Sequence, residues 1–372
     1  MQALTRLILI ACLTVPPAWA ETPEDVRPRP LGWALEAAAR GNWAEAERIA
    51  ARDGAVAADI ILWSRLRGGL GTLAEYRAFA DRRPDWPDST VLRQRAEGDV
   101  IAAGDAALLE FFAEAPPQTA RGILAHAAAL EAAGEDGEAQ ASLVLAWRTR
   151  EMGELDEAAF LEAHGDLLAP HHAARADMLL WERERADAAR LRRFLSAGER
   201  AIMDARSALQ RRAGNVDAAL AAVPEALADD PGLAHDLFEW RVRAGRWDAA
   251  KDLIIERSGT LGRADAWANR RRALARDEMR DGDAGRAYRL AAEHGLEEGS
   301  AYADLEWLAG YIALTYLEDA EAALAHFQNH RSVIASPISR GRAGYWIGRA
   351  HEDLGNADAA QASYADGAQF QT

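Results

Sequence analysis

The stretch RAGRWDAA, residues 243–250, has close copies elsewhere in the chain: RAGNVDAA at 212–219, RDGDAGRA at 280–287, LEDAEAA at 317–323 and DLGNADAA at 353–360. Each copy sets a glycine, or Glu318 in one case, five residues ahead of an alanine. The pairs are Gly214 and Ala219, Gly245 and Ala250, Gly282 and Ala287, Glu318 and Ala323, and Gly355 and Ala360. Successive markers are 31, 37, 36 and 37 residues apart. That fits the period of about 34 residues of a tetratricopeptide-type helix-turn-helix repeat. Looser copies lie earlier, at Gly41 with Ala46 and Gly134 with Ala139.

The marker residues have physical reasons. A glycine ends the first helix in a left-handed conformation that costs a residue with a Cβ about 1 kcal/mol or more. Arg212, Arg243 and Arg280 fall in the turn before it, where positive charge suits a helix C-terminus. Asn215, Asp283 and Asn356 are placed to cap the second helix, and Asp217, Asp248 and Asp358 follow in its first turn. The alanine is small where two antiparallel helices approach closely. Trp43 and Trp247, two residues after their glycines, are positioned to wedge between helices. The last copy adds Gly348 and Tyr364; the one before it adds Trp307 and Phe327 around Ala323. These spacings match the small and large packing positions of the tetratricopeptide pattern.

Alanine is abundant, apolar residues recur at helical spacing, and no stretch alternates with period two for long. The expectation is an all-α chain with on the order of twenty helices. Helix pairs of this kind must stack to bury their apolar faces, giving a curved α-solenoid with a concave surface. Its looser repeats would span 31–160 and its regular ones 161–372. Asp230-Pro231 and Ser336-Pro337 read as helix starts, a capping residue followed by proline at the first helical position.

Arg6, the apolar run Leu7 to Val15, and Ala18-Trp19-Ala20 before Glu21 form an export signal, residues 1–20, followed by a Pro-rich leader at 21–30. The apolar run is too short to span a bilayer. Cleavage after Ala20 would release the chain to the periplasm. The alternative is lipoprotein processing at Leu9-Ile10-Ala11-Cys12, whose apolar run before the cysteine is short for that role. Cys12 is the single cysteine, so the mature chain would carry no disulfide and no thiol nucleophile.

Acidic residues outnumber basic ones 59 to 43, for a formal charge of −16. That field repels phosphate backbones and argues against nucleic acid as a partner. Arg270-Arg271-Arg272 is the one notable basic run and reads as a solvated helix face. No phosphate loop, G-x-S-x-G elbow or H-E-x-x-H motif occurs. His164, His171 and His172 cluster, but without the acidic ligands of a metal site, and turn and capping roles fit them better. No cofactor is implied. Trp63, Trp181, Trp240, Trp267, Trp307 and Trp346 are candidates for sugar-stacking platforms, yet their helical spacing favours gaps between helices.

The C-terminal third is more specific than a generic repeat. AYRLAAEHGLEEGSAYADLEWLAGYIALTYLEDAEAALAHF (287–327) and SPISRGRAGYWIGRAHEDLG (336–355) resemble the superhelical N-terminal part of the soluble lytic murein transglycosylases. HGDLLAPHHAARADMLLW (164–181) and VPEALADDPGLAHDLFEWRVRAGRWDAA (223–250) are similar to the same family. The resemblance implies a right-handed, U-shaped α-superhelix, a periplasmic frame that holds peptidoglycan glycan strands for a lysozyme-like domain. In that domain one glutamate, as acid and then base, cleaves the glycosidic bond to a 1,6-anhydro product without water. Its Glu-Ser, GLMQ-like and AYNAG-like motifs are absent here, so no catalytic residue carries over. The resemblance implies that Gln369-Phe370-Gln371-Thr372 leads towards that domain, and that residues 1–372 are inactive alone. The alternative is a non-catalytic tetratricopeptide-like periplasmic scaffold or peptidoglycan-binding protein.

Overall fold

The computed structural model describes residues 30–370; the expected export signal, Cys12 and nearly all of the expected leader lie outside them. Among the described residues there are 21 α-helices, five short 3₁₀ turns and no strand. The chain divides into two compact units, Met1–Leu143 and Val144–Thr372.

In the first unit, consecutive helices from Pro30–Ala39 to Ala120–Ala132 pack on their chain neighbours. One core is built almost wholly of alanine, with Ala34, Ala37, Ala46, Ala50 and Ala57 around Ile61, so the first helices lie close together. The next core holds Leu66, Tyr76, Phe79, Leu92, Phe111 and Phe112. The Leu73–Arg82 helix opens with a full capping box, Thr72 and Glu75 satisfying each other's backbone N–H groups. The buried Glu97 carboxylate accepts from the Thr119 backbone N–H at 2.9 Å and from the Gln118 N–H and Thr119 hydroxyl, at the start of Ala120–Ala132. Gly122 lacks the Cβ that would strike that carboxylate.

The second unit contains six helical hairpins. They pair His172–Trp181 with Arg185–Arg190, Ala197–Arg211 with Val216–Ala221, Pro231–Arg243 with Trp247–Glu256, Ala264–Asp281 with Ala284–Ala292, Gly299–Tyr316 with Ala320–Val333, and Pro337–Asp353 with Ala357–Ala368. The turn residues Gly245, Gly282 and Gly355 have φ of 71°, 94° and 77°, and Glu318 takes the same region at 55°. Ala250, Ala287, Ala323 and Ala360 are all buried. In the first unit, Gly41 and Gly134 are likewise left-handed and Ala46 and Ala139 fully buried.

Several sequence expectations need correction. Gly214 is not the left-handed residue of its turn; Arg212 is, with φ 55°, because the Ala197–Arg211 helix ends two residues earlier than the marker implies. The following helix is only six residues long, and Ala219 is half-buried rather than enclosed. Asn215 and Asn356 make no side-chain cap, whereas Asp283 accepts from the Arg286 N–H and Asp319 from the Ala322 N–H, each at 2.9 Å. Trp247 lies on the surface instead of between helices. The arginine run is not a solvated face: Arg271 is fully buried, Arg270 pairs with Glu239 at 2.9 Å, and Arg272 pairs with Asp304. A run of three spans most of a helix circumference, so one member must point inwards.

One further copy of the repeat was not foreseen. Arg183 is left-handed, with φ 66°, and Ala188, five residues on, is fully buried. At both Arg183 and Arg212 the positive φ belongs to a residue with a side chain, so a search keyed to glycine passes over it.

Candidate functional site

Trp307 and Tyr311 are one helical turn apart on Gly299–Tyr316 and share a face. Their rings stack, with centroids 5.4 Å apart and planes 13° from parallel. Arg342, Tyr345, Trp346 and Arg349 recur at helical spacing on Pro337–Asp353. Trp346 meets Tyr311 edge-on at 5.2 Å and Trp307 at 6.1 Å, while its other side rests on Phe327 of the core. Tyr345 continues the row to Tyr364, and Tyr311 reaches Tyr316. Tyr345 and Tyr316 each expose nearly half their surface; Trp307, Tyr311 and Trp346 are partly exposed. The Arg342 guanidinium lies 4.9 Å over the Trp307 ring. Burial, together with a bond to Glu352, pushes Tyr364 up to about 12.

This surface offers flat apolar ring faces, phenolic hydroxyls and a guanidinium in one place. Such a set binds by stacking and hydrogen bonding. Of the six tryptophans singled out in the sequence, the structure brings Trp307 and Trp346 together here. Trp267 is enclosed in the core, and Trp63, Trp181 and Trp240 are half-buried elsewhere. Tyr311, Tyr316 and Tyr345 escaped sequence reasoning, which looked only for tryptophan.

Beneath the aromatic row lies a buried polar node. Glu306, adjacent to Trp307, accepts from His294 at 3.1 Å, His326 at 2.7 Å and Asn329 at 3.2 Å. The His294 Nδ1 accepts from the Leu296 N–H, so its Nε2 carries the proton given to Glu306. His326 faces the carboxylate through Nδ1 and the Tyr288 hydroxyl through Nε2, 3.0 Å away. Imidazoles whose Glu306-facing nitrogen carries a proton thus satisfy the bonds of the node. Burial pushes the Glu306 carboxyl up, but the bonds from His294 and His326 outweigh it and hold it at about 2. A glycosidic acid needs a carboxyl held protonated near neutral pH, the opposite environment. Nothing in the sequence joined these residues, which are 12 to 38 positions apart.

Repeat positions of the last two hairpins fall around the same region. Ala323 and Phe327 belong to the core under Trp307 and Trp346. Gly348 faces the Tyr364 ring, and Gly310 faces Phe327. The histidine cluster is dispersed: His172 stacks on Phe194 at 4.3 Å and meets Trp147 edge-on, while His164 sits at a kink with φ −136°.

No protein-family model matches the chain, and no curated protein matches it in sequence. Among the described residues no helix is long and apolar enough to cross a membrane, and no group of His, Cys, Asp and Glu is arranged to hold a metal ion.

In the first unit, a cleft of about 260 Å³ has an apolar floor of Tyr76, Phe79, Leu92 and Phe111. Its rim alternates in charge: Arg93 lies 4.3 Å over the Phe111 ring and pairs with Glu114 at 2.8 Å.

Proposed function

We propose that this chain is the helical, strand-holding part of a periplasmic lytic murein transglycosylase. The hairpins of the second unit would wind as a right-handed, tetratricopeptide-like superhelix and present their first helices to a glycan strand. The observation that carries this reading is the partly exposed row Trp307, Tyr311, Trp346 and Tyr345. It lies within the two segments that resemble the family. Sugar rings stack by their apolar faces on such aromatics, and hydroxyls and a guanidinium can bind the acetamido and lactyl groups of peptidoglycan. The site has no poised acid, so its role is binding, and cleavage belongs to a lysozyme-like domain.

The test is binding of the purified chain to glycan strands stripped of peptide, read by tryptophan fluorescence. Strands are expected to bind, and Tyr311→Ala with Trp346→Ala to weaken binding by at least about tenfold, or about 1.4 kcal/mol. Equal binding by that variant would remove the aromatic row from the reading. Absence of any strand binding, with a protein recovered from periplasmic extract instead, would favour the scaffold alternative. Anhydro-muropeptide release by residues 1–372 alone would overturn the assignment of cleavage elsewhere. N-terminal sequencing of the exported chain tests cleavage after Ala20.

A further inference from the structure

In a chain of net charge −16, the second unit contains a trough whose charged lining residues are mostly arginine. It consists of two adjacent grooves of about 450 and 510 Å³, one on either side of the Ala197–Arg211 helix. Arg192, Asp204 and Arg211 line both grooves. Arg200 lies on one side and Arg183 and Arg185 on the other. Against these five arginines stand only Glu184 and Asp204. The floor is small: Ala186, Ala189, Ala201, Ala208 and Ala218 are among the lining residues.

Among the described residues many cations pair with a carboxylate, as Arg82, Arg190 and Arg286 do. The trough differs. Arg192 holds Asp204 through both guanidinium nitrogens. Among the described residues, Arg183, Arg185, Arg200 and Arg211 have no carboxylate within salt-bridge distance. Arg185 reaches only the Arg183 carbonyl and the Gln210 amide oxygen, Arg200 the Leu195 carbonyl, and Arg211 the Ser207 carbonyl. Four guanidiniums left to solvent and backbone, in a protein with 59 acidic residues, form a local excess of positive field.

We infer that this trough docks an acidic peptide segment of a partner protein. A guanidinium takes a carboxylate as a two-bond fork, and the Arg192–Asp204 pair shows that geometry in place. Alanines on the floor let an extended backbone approach closely, with alternate side chains reaching the arginines on either side. Other polyanions fit less well. No aromatic ring lines the trough, so neither bases nor sugars find a stacking face. The −16 chain repels a duplex along its whole length. A concave groove does not meet a flat headgroup plane. This site is independent of the glycan reading and is far in sequence from the Trp307 row.

The probe is a fluorescein-labelled peptide of alternating glutamate and alanine, mixed with the intact chain and followed by anisotropy at low and physiological salt. Binding is expected, weakening with salt, and a glutamine-alanine peptide should not bind. The triple variant Arg185→Gln, Arg200→Gln and Arg211→Gln should bind at least about tenfold more weakly, with an unchanged melting temperature. Arg52→Gln with Arg121→Gln, which removes two exposed charges in the other unit, should change binding less than about twofold. If the triple variant melts early, Arg211→Gln alone is expected to weaken binding with the fold intact. Equal binding by the trough variants, or equal loss in the distant pair, would overturn the inference. So would trough-dependent binding of duplex DNA or phosphatidylglycerol vesicles in place of the peptide.

Discussion

Tyr364 lies flat against the bare Cα of Gly348: a Cβ at that glycine would stand less than 3.0 Å from three carbons of the ring. The contact joins the two helices of the last hairpin, and Gly344 and Gly367 touch one turn further along the same crossing. Alanine is favoured over glycine inside a helix by about 1 kcal/mol, but overpacking costs about 1–3 kcal/mol and wins here. Gly348→Ala is therefore expected to lower stability in thermal or urea unfolding. In a Tyr364→Ala background the clash is gone, and the same change should stabilise. A Gly348→Ala effect of the same sign in both backgrounds would disprove the contact's role.

The turn residues give a prediction of opposite signs. Gly245 is left-handed and a Cβ there would meet nothing within 4 Å, so Gly245→Ala costs only backbone strain, about 1 kcal/mol. Glu318 adopts the same conformation with a side chain attached. Glu318→Gly should gain roughly what Gly245→Ala loses, less the entropy glycine adds to the unfolded chain. Parallel urea melts of the two variants check it; destabilisation in both would show that the turns are not equivalent.

These turns also mark the limit of what the sequence disclosed. Gly245, Gly282 and Gly355 announce themselves because glycine is the residue a positive φ prefers. Arg183 and Arg212 adopt the same conformation with exposed side chains attached, and composition carries no sign of that. Asp230-Pro231 was legible as a helix start because cap and proline are adjacent; the Asp230 side chain accepts from the Leu233 N–H at 2.6 Å. Long-range sites were not legible. Glu306 is one acid among 59 until the fold brings two imidazoles to it, and the arginine trough draws on three helical segments. Net charge told of repulsion on average and hid the local exception.

The Glu306 node makes stability depend on acid. The carboxyl is held at about 2, below its ordinary 4.5, so the unfolded state binds the proton more readily than the folded one. Its contribution, about 3 kcal/mol at full ionisation, is present above pH 5 and fades as pH falls through 4 towards 2. Glu306→Gln turns an amide donor towards donating imidazoles and should cost about 2–4 kcal/mol at neutral pH. The variant's deficit should shrink as the pH is lowered to 3. A deficit independent of pH would show that the carboxylate charge is not what the histidines hold.

Arg206 supplies the sharpest energetic test. Its guanidinium is buried, donates to Asp236 at 2.8 Å, and pairs with Asp177 at 2.5 Å. Asp236, itself buried, also accepts from Gln210 at 3.0 Å. Gly232 leaves space for the guanidinium, since a Cβ there would lie less than 3.0 Å from three of its atoms. Asp236→Asn leaves Asp177 as the guanidinium's remaining carboxylate, so it removes one charge-assisted bond and is expected to cost about 1.5–3 kcal/mol. Arg206→Met with Asp236→Leu removes both buried charges and leaves Asp177, half exposed, to water, so it should recover much of the loss despite being the larger change. Urea melts of the three proteins decide the matter. A double variant less stable than Asp236→Asn would mean that shape, rather than buried charge, governs this part of the core.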